Sequence, residues 1–294
     1  MANPYDAKYT NSDGDEALLS TGSRAWRSIP NVLSMPSRVV WAKTPYSAMP
    51  ALFQTQVMEP REISMGIDVS GSNPTAVVRE VTQLLWCMAI DLRKNVFGHE
   101  QALGTFTYWG DNDTELAIRC VPTNHDGIDQ WLHRFQLEGA RATLPLKFWC
   151  PDPTFYAPTK VSPASAPFNG AANVTISCVN PSMWPAYIEV SYTGICENPK
   201  MTDYYGTVWE LEKDAANAGD ETVMVLDPHD FQVTHTPNAG AAANVFNLIS
   251  EDSTWPPLIA PGTNDLTFAC EAGGNATIQV GFYTRYPFHG RLTA

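Results

Sequence analysis

The chain has 294 residues, six cysteines and a net charge of −13, with 44% hydrophobic and 17% charged residues. That length supports one large domain or two, and a core that needs neither metal nor disulfide to fold. The acidic balance disfavours binding to a phosphate backbone, which requires clustered cations. The imbalance is uneven. Residues 1–160 carry 14 Lys/Arg against 17 Asp/Glu, a net of −3, whereas residues 161–294 carry 4 against 14, a net of −10.

The first 55 residues read as irregular, with a polar acidic stretch from Asn11 to Glu16 and then short pieces divided by Pro30, Pro36, Pro45 and Pro50. Only Arg38–Ala42 suggests a strand there. In Glu62–Val69, Ile63, Met65, Ile67 and Val69 share one face and polar residues or glycine the other, which predicts a half-buried strand. Asn73-Pro74 is a helix start, with Asn as the cap and Pro where its missing N–H costs nothing. Val77, Val78, Val81, Leu84, Leu85, Met88 and Leu92 then recur at helical spacing before Gly98. Strands are predicted at Thr105–Trp109, Glu115–Val121, Trp131–Leu137 and Ala142–Trp149, with a turn at Gly110–Asp113.

A Pro-, Ser- and Ala-rich segment, Pro151 to Pro167, reads as the linker between two domains, 1–160 and 161–294. Beyond it every recognisable element is a strand: Asn173–Cys178, Ala186–Tyr192, Gly206–Leu211, Glu221–Leu226, Phe231–Thr234, Asp265–Cys270 and Ala276–Tyr283. Short strands separated by Gly, Pro, Asn and Asp turns predict an antiparallel sandwich.

No catalytic, cofactor-binding or metal-binding set emerges. The cysteines (Cys87, Cys120, Cys150, Cys178, Cys196, Cys270) contain no C-x-x-C pair, and the start lacks an apolar leader. They are expected to be reduced, buried thiols of a chain made in a cytoplasm. Two N-x-[ST] sequons are then chance matches, and no apolar run has membrane-spanning length. The histidines His99, His125, His133, His229, His235 and His289 form no zinc-binding spacing. Asp227 and Asp230 flank Pro228-His229, but a turn after a strand explains them better than acid–base chemistry. Asp111-Asn-Asp113 and Asn11–Glu16 superficially suggest calcium loops and lack the terminal glutamate. There is no G-x-S-x-G and no phosphate-cradling run. Trp184, Tyr187, Tyr192, Tyr204, Tyr205 and Trp209 could stack on sugar rings, although core packing is the commoner use of such residues.

Five local patterns, in order, resemble the distal tail protein family of phages with long non-contractile tails, also called phage minor tail proteins. They are Leu144–Tyr156, with its aromatic, Asp-Pro and second aromatic; Asn169-Gly170, followed by Trp184-Pro185 and Ile188–Val190; Gly194 with Asn198-Pro199; Ala218-Gly-Asp220 before the strand ending at Asp227; and Trp255–Asn264. The resemblance implies a mainly β fold: an N-terminal tail-tube-like β-barrel or sandwich domain with one α-helix, and a C-terminal galectin-like antiparallel β-sandwich. It also implies a non-enzymatic virion subunit of the tail tip, made in the host bacterial cytoplasm and without cofactor. The implied partners are further copies in a hexameric ring, the tail tube protein, the tip or baseplate hub and other minor tail proteins. DNA would pass through the lumen without specific binding, and no part would insert in a membrane. The alternative is a carbohydrate-binding module for adsorption to the host surface, using an exposed aromatic such as Trp184 or Trp209.

Overall fold

The computed structural model describes residues 7–20, 24–26, 37–42, 52–97, 102–110, 114–123, 140–163, 165–169, 171, 173–203, 206–212, 222–227, 232–237, 240–253 and 256–286. The chain divides into two compact units, the first reaching to Tyr156 and the second running from Ala157 to Tyr286. All the strand pairings described are antiparallel.

The first unit contains β1 (Ala7–Thr10), β2 (Glu16–Leu18), β3 (Arg24–Trp26), β4 (Ser37–Ala42), β5 (Leu52–Met58), β6 (Arg61–Ser70), α1 (Pro74–Phe97), β7 (Gly104–Gly110), β8 (Thr114–Pro122) and β9 (Arg141–Cys150). The start of β10 (Phe155–Val161) also belongs to it. β6 shows the alternation expected of it. Ile63, Met65, Ile67 and Val69 are buried, and Arg61 through Ser70 face Cys150 through Arg141 of β9. β8 changes partner along its length: Thr114–Cys120 pair with β7, and Val121 and Pro122 with β9. β1 lies between β2 and β7, and β3 lines the other edge of β6. This network is open: the described pairings do not close it into a barrel. β4 and β5 form a separate two-stranded sheet. The predicted strand Trp131–Leu137 lies outside the described residues.

α1 begins where the sequence places it. The Asn73 side-chain Oδ1 accepts the Ala76 N–H at 2.9 Å, which satisfies one of the orphan donors of the first turn. Val77, Val81, Leu84 and Met88 are buried, and the helix packs against β2, β6, β8 and β9. Val78, by contrast, is 45% exposed and Trp86 is 73% exposed, so the outer face carries apolar side chains that the core does not use. Beneath α1 the Phe148 ring contacts Tyr9 and Phe106, with centroids 5.4 and 5.7 Å apart.

The second unit holds the remainder of β10, then β11 (Ala166–Pro167), β12 (Asn173–Asn180), β13 (Ala186–Thr202), β14 (Val208–Glu210), β15 (Thr222–Asp227), β16 (Gln232–Pro237) and β17 (Ala243–Asn244). A 3-10 turn (Phe246–Leu248), β18 (Leu258–Ile259) and β19 (Gly262–Tyr286) complete it. β19 is the centre of this antiparallel sandwich. β11 and β12 pair along one of its edges and β13 along the other. β13 continues through β14 and β15, and β15 through β16 to β17. The core comprises inward residues of successive strands, among them Ile188, Val190, Phe268, Ile278, Val280 and Phe282, each with no exposed surface. At roughly 1.5–3 kcal/mol for each large apolar side chain removed from water, this core needs no cross-link to stand.

Four expectations are corrected by this fold. The segment Pro151–Pro167 is not a plain loop, since β10 and β11 lie in it, with Pro158 and Pro167 in those strands and Pro151, Pro153 and Pro163 outside them. The two strands predicted at Asp265–Cys270 and Ala276–Tyr283 are one continuous strand, β19. The strand predicted to end at Tyr192 runs on to Thr202, because Gly194 and Asn198 take positive φ (121° and 45°) and register shifts absorb the irregularity. The irregular start contains a hairpin, β1 and β2, around the acidic turn.

Candidate functional surfaces

The Asn11–Glu16 stretch is held as a turn by its own side chains. Asn11 Oδ1 accepts the Asp13 and Asp15 N–H groups at 3.0 and 2.8 Å. Asn11 Nδ2 donates to the Cys87 carbonyl of α1 at 3.3 Å. Lys94, in the last turn of α1, donates to Ser12 Oγ at 2.9 Å and pairs with Asp13. Its charge also complements the helix C-terminus. These groups are committed to pinning β1–β2 on the helix, which is what a turn reading requires.

At the centre of that contact is Asp91, fully buried on α1. Its Oδ1 accepts the Ser12 N–H at 2.9 Å, and its Oδ2 accepts the Tyr9 hydroxyl. Burial above all, with the nearby Cys120 thiol and Asp91 carboxylate, pushes the Tyr9 hydroxyl far above its ordinary value. Asn95 continues the network, donating to the Asp91 and Ala102 carbonyls at 2.8 and 2.6 Å. This polar centre was not singled out from the sequence. Its signal is nevertheless present: Asp91 continues the stripe Val77, Val81, Leu84, Met88 at helical spacing, a charged residue at a core position.

A second buried charge lies at the start of β6. Arg61 is 2% exposed, with its guanidinium 4.9 Å from the Phe155 ring centre. In the second unit Lys160 pairs with Glu189 at 2.5 Å and approaches the Tyr283 ring, while Lys200 pairs with Glu210 at 3.3 Å. These are partly exposed pairs of the kind that contribute little individually.

The candidates from sequence separate clearly. Asp227 ends β15 and faces Gln232 across the hairpin with β16, as a turn-flanking residue would; Asp230 lies outside the described residues, as do Asp111-Asn-Asp113. Of the histidines only His235 is described, and it sits in β16 opposite Met224. Among the described residues no group of three or more His, Cys, Asp or Glu could hold a metal ion. No described helix is long and apolar enough to cross a membrane.

In the aromatic set the commoner use, core packing, is what Tyr192 and Trp209 show, and the reading of Trp209 as an exposed aromatic is corrected. Trp209 is 2% exposed and Tyr192 1%, so neither presents a ring face to a sugar; both fill the sandwich core. The Arg285 guanidinium lies 3.9 Å from the Tyr187 ring centre and covers it. Trp184 is half-buried, its N–H bonded to Ser182 Oγ at 3.0 Å. Tyr204 and Tyr205 lie outside the described residues. Among the described residues, the exposed large apolar side chains are instead Leu18, Val78, Trp86, Trp149, Val179, Met183 and Phe246.

No protein-family model matches the chain, and no curated protein does. Solved structures do. The crystal structure of the Dit (gp 19.1) protein of phage SPP1, described there as a paradigm of the hub adsorption apparatus in phages infecting Gram-positive hosts, superposes with a TM-score of 0.56 at 14% identity. That match covers 95% of this chain and 99% of that one. A chain of the phage p2 baseplate in its activated conformation with Sr matches with a TM-score of 0.53 at 10% identity, over 97% of this chain and 100% of that one. The same baseplate with Ca gives 0.52 at 10% identity. The fold is therefore that of phage hub and baseplate chains, across both units.

Proposed function

We propose that this chain is a structural, non-enzymatic subunit of a phage tail tip, a distal tail protein. Six copies form a ring that joins the tail tube to the tip or baseplate; the first domain, residues 1–160, lines the DNA channel, and the second, 161–294, is a galectin-like sandwich. The observation that supports this reading is the near-complete mutual coverage with the SPP1 Dit protein, 95% of this chain against 99% of that one.

Two features of the chain support it. Six first domains at −3 sum to −18, so the channel wall has no net positive charge with which to hold passing DNA. The β4–β5 hairpin forms a sheet of its own, and a two-stranded sheet is marginal in water without a surface to pack on. A neighbouring copy supplies one and satisfies its edges. The carbohydrate-binding alternative, stated on Trp184 or Trp209, loses Trp209, which is buried.

Native mass measurement and negative-stain microscopy of the purified full chain test the reading, alone and with tail tube and hub proteins. Closed rings are expected. A protein that stays monomeric in every mixture sinks the proposal.

A further inference from the structure

The six cysteines are all buried, but they are not equivalent. In the first unit, Val121 of β8 faces Trp149 of β9, so one further step along the ladder sets Cys120 beside Cys150. Both side chains have no exposed surface, and the two thiols hydrogen-bond to each other. In the second unit, Cys196 lies in the β13 bulge between Ile195 and Glu197, and Cys270 adjoins Glu271, the β19 partner of Glu197. These two thiols also hydrogen-bond to each other inside the core. Cys87 and Cys178 are placed differently: Cys87 Sγ donates to the Asp15 carbonyl at 3.4 Å, and Cys178 faces Asn264.

We infer that Cys120–Cys150 and Cys196–Cys270 are latent disulfides, one staple inside each unit, closed by a small disulfide oxidant such as oxidised glutathione. Cys120 and Cys150 are opposed on neighbouring antiparallel strands, which hold such Cα atoms about 4.5–5.5 Å apart, inside the range that a disulfide spans. Cys196 and Cys270 instead flank the Glu197–Glu271 pair diagonally and are brought together by the β13 bulge and their thiol hydrogen bond. Closure proceeds by ordinary exchange. One cysteine thiolate attacks a sulfur of glutathione disulfide and expels a glutathione thiolate, leaving a mixed disulfide. The second cysteine thiolate then attacks the protein sulfur and expels the other glutathione. Each closure oxidises two protein thiols, reduces one glutathione disulfide to two glutathione thiols, and passes the two cysteine protons to those products. All four thiols are shut away from solvent, which makes closure slow and dependent on local opening. In a reducing cytoplasm the pairs stay open; outside the cell they close. That biological setting rests on the tail-tip reading, whereas the chemistry does not.

The test incubates the purified full chain with glutathione disulfide at about pH 8.5, where thiolates form. One arm runs at room temperature and one just below the thermal midpoint, where opening is frequent. Samples are acid-quenched, alkylated in denaturant and weighed. The expected result is two alkylated cysteines instead of six in the warm arm, with no glutathione retained and non-reducing digests linking 120 to 150 and 196 to 270. Dithiothreitol should restore six, and the thermal midpoint should rise on oxidation and fall back on reduction. Six alkylated cysteines in both arms, glutathione held on these residues, or links outside the two pairs would overturn the inference. Cys120→Ser and Cys270→Ser should each abolish only their own link; loss of both links from one substitution also overturns it. Native mass of the same sample before oxidation reports ring formation separately, so the two proposals can fail independently.

Discussion

Tyr9 and Tyr192 are both buried tyrosines, one in each unit, and removing their hydroxyls should have opposite consequences. The Tyr9 hydroxyl donates to Asp91, a carboxylate with no exposed surface that otherwise accepts the Ser12 N–H. Tyr9→Phe keeps the ring stacked on Phe148 and takes one donor from a buried charge. Hydrogen bonds to charged groups are worth about 1.5–3 kcal/mol. In a unit of this size a loss of about 2 kcal/mol lowers the midpoint of thermal unfolding by about 4–8 °C. The Tyr192 hydroxyl, in contrast, is buried with no hydrogen-bond partner. Tyr192→Phe discards a desolvated group that receives nothing in return, so stability should hold or rise. Urea and thermal melts followed by circular dichroism measure both. Hydrogen exchange of peptides from α1 should locate the Tyr9→Phe loss in the first unit. A neutral Tyr9→Phe, or equal losses in the two variants, would refute the assignment of Tyr9 as a required donor.

Three further outcomes are expected. Stability should fall on the alkaline side: burial, aided by the Asp15 and Asp91 carboxylates, pushes the Cys87 thiol up to about 11, and burial with Asp265 does the same for Cys178. The unfolded chain releases those protons from about pH 9, so this contribution is complete below that and is lost through about pH 11; midpoints at several alkaline pH values under reducing conditions check it, and a flat or rising trend contradicts it. Asn73→Ala removes the 2.9 Å cap of α1 and should cost about 1 kcal/mol in urea denaturation, with Asn73→Asp close to wild type. Gly194→Ala should destabilise the second unit by about 1–3 kcal/mol, because φ is +121° and a Cβ there would collide with the Asn275 carbonyl oxygen; unchanged melting would show that β13 relaxes around it.

The elements legible in the sequence are the periodic ones. β6 and α1 each show one face to a core, so Ile63–Val69 and Asn73-Pro74 declared them. Punctuation misled where the sheet tolerates irregularity: Gly194 and Asn198-Pro199 mark turns in most contexts, yet here they sit within β13 because its ladder with β19 shifts register around them. The same holds for the stretch between Cys270 and Ala276, which reads as a break and is strand. In the acidic start, Ala7 and Tyr9 alternate with Lys8 and Thr10 over too few residues to be distinguished from loop. Aromatic positions carried no label of burial: only the fold decides that Trp209 is core and Trp86 is surface. Cysteine pairing was equally invisible, since residues 120 and 150, or 196 and 270, are brought together by ladders and not by spacing.

The central position of β19 has a mechanical meaning. β12 is zipped along its first part, and β13 along most of its length, in ladders that run parallel to its own axis. A tension applied end to end on this strand strains those hydrogen bonds in shear, so they yield together and not one after another. Peeling an outer strand such as β17, bonded over only two residues to β16, requires far less force. The second unit is thus stiff along one direction and compliant at one margin, an anisotropy fixed by strand order alone.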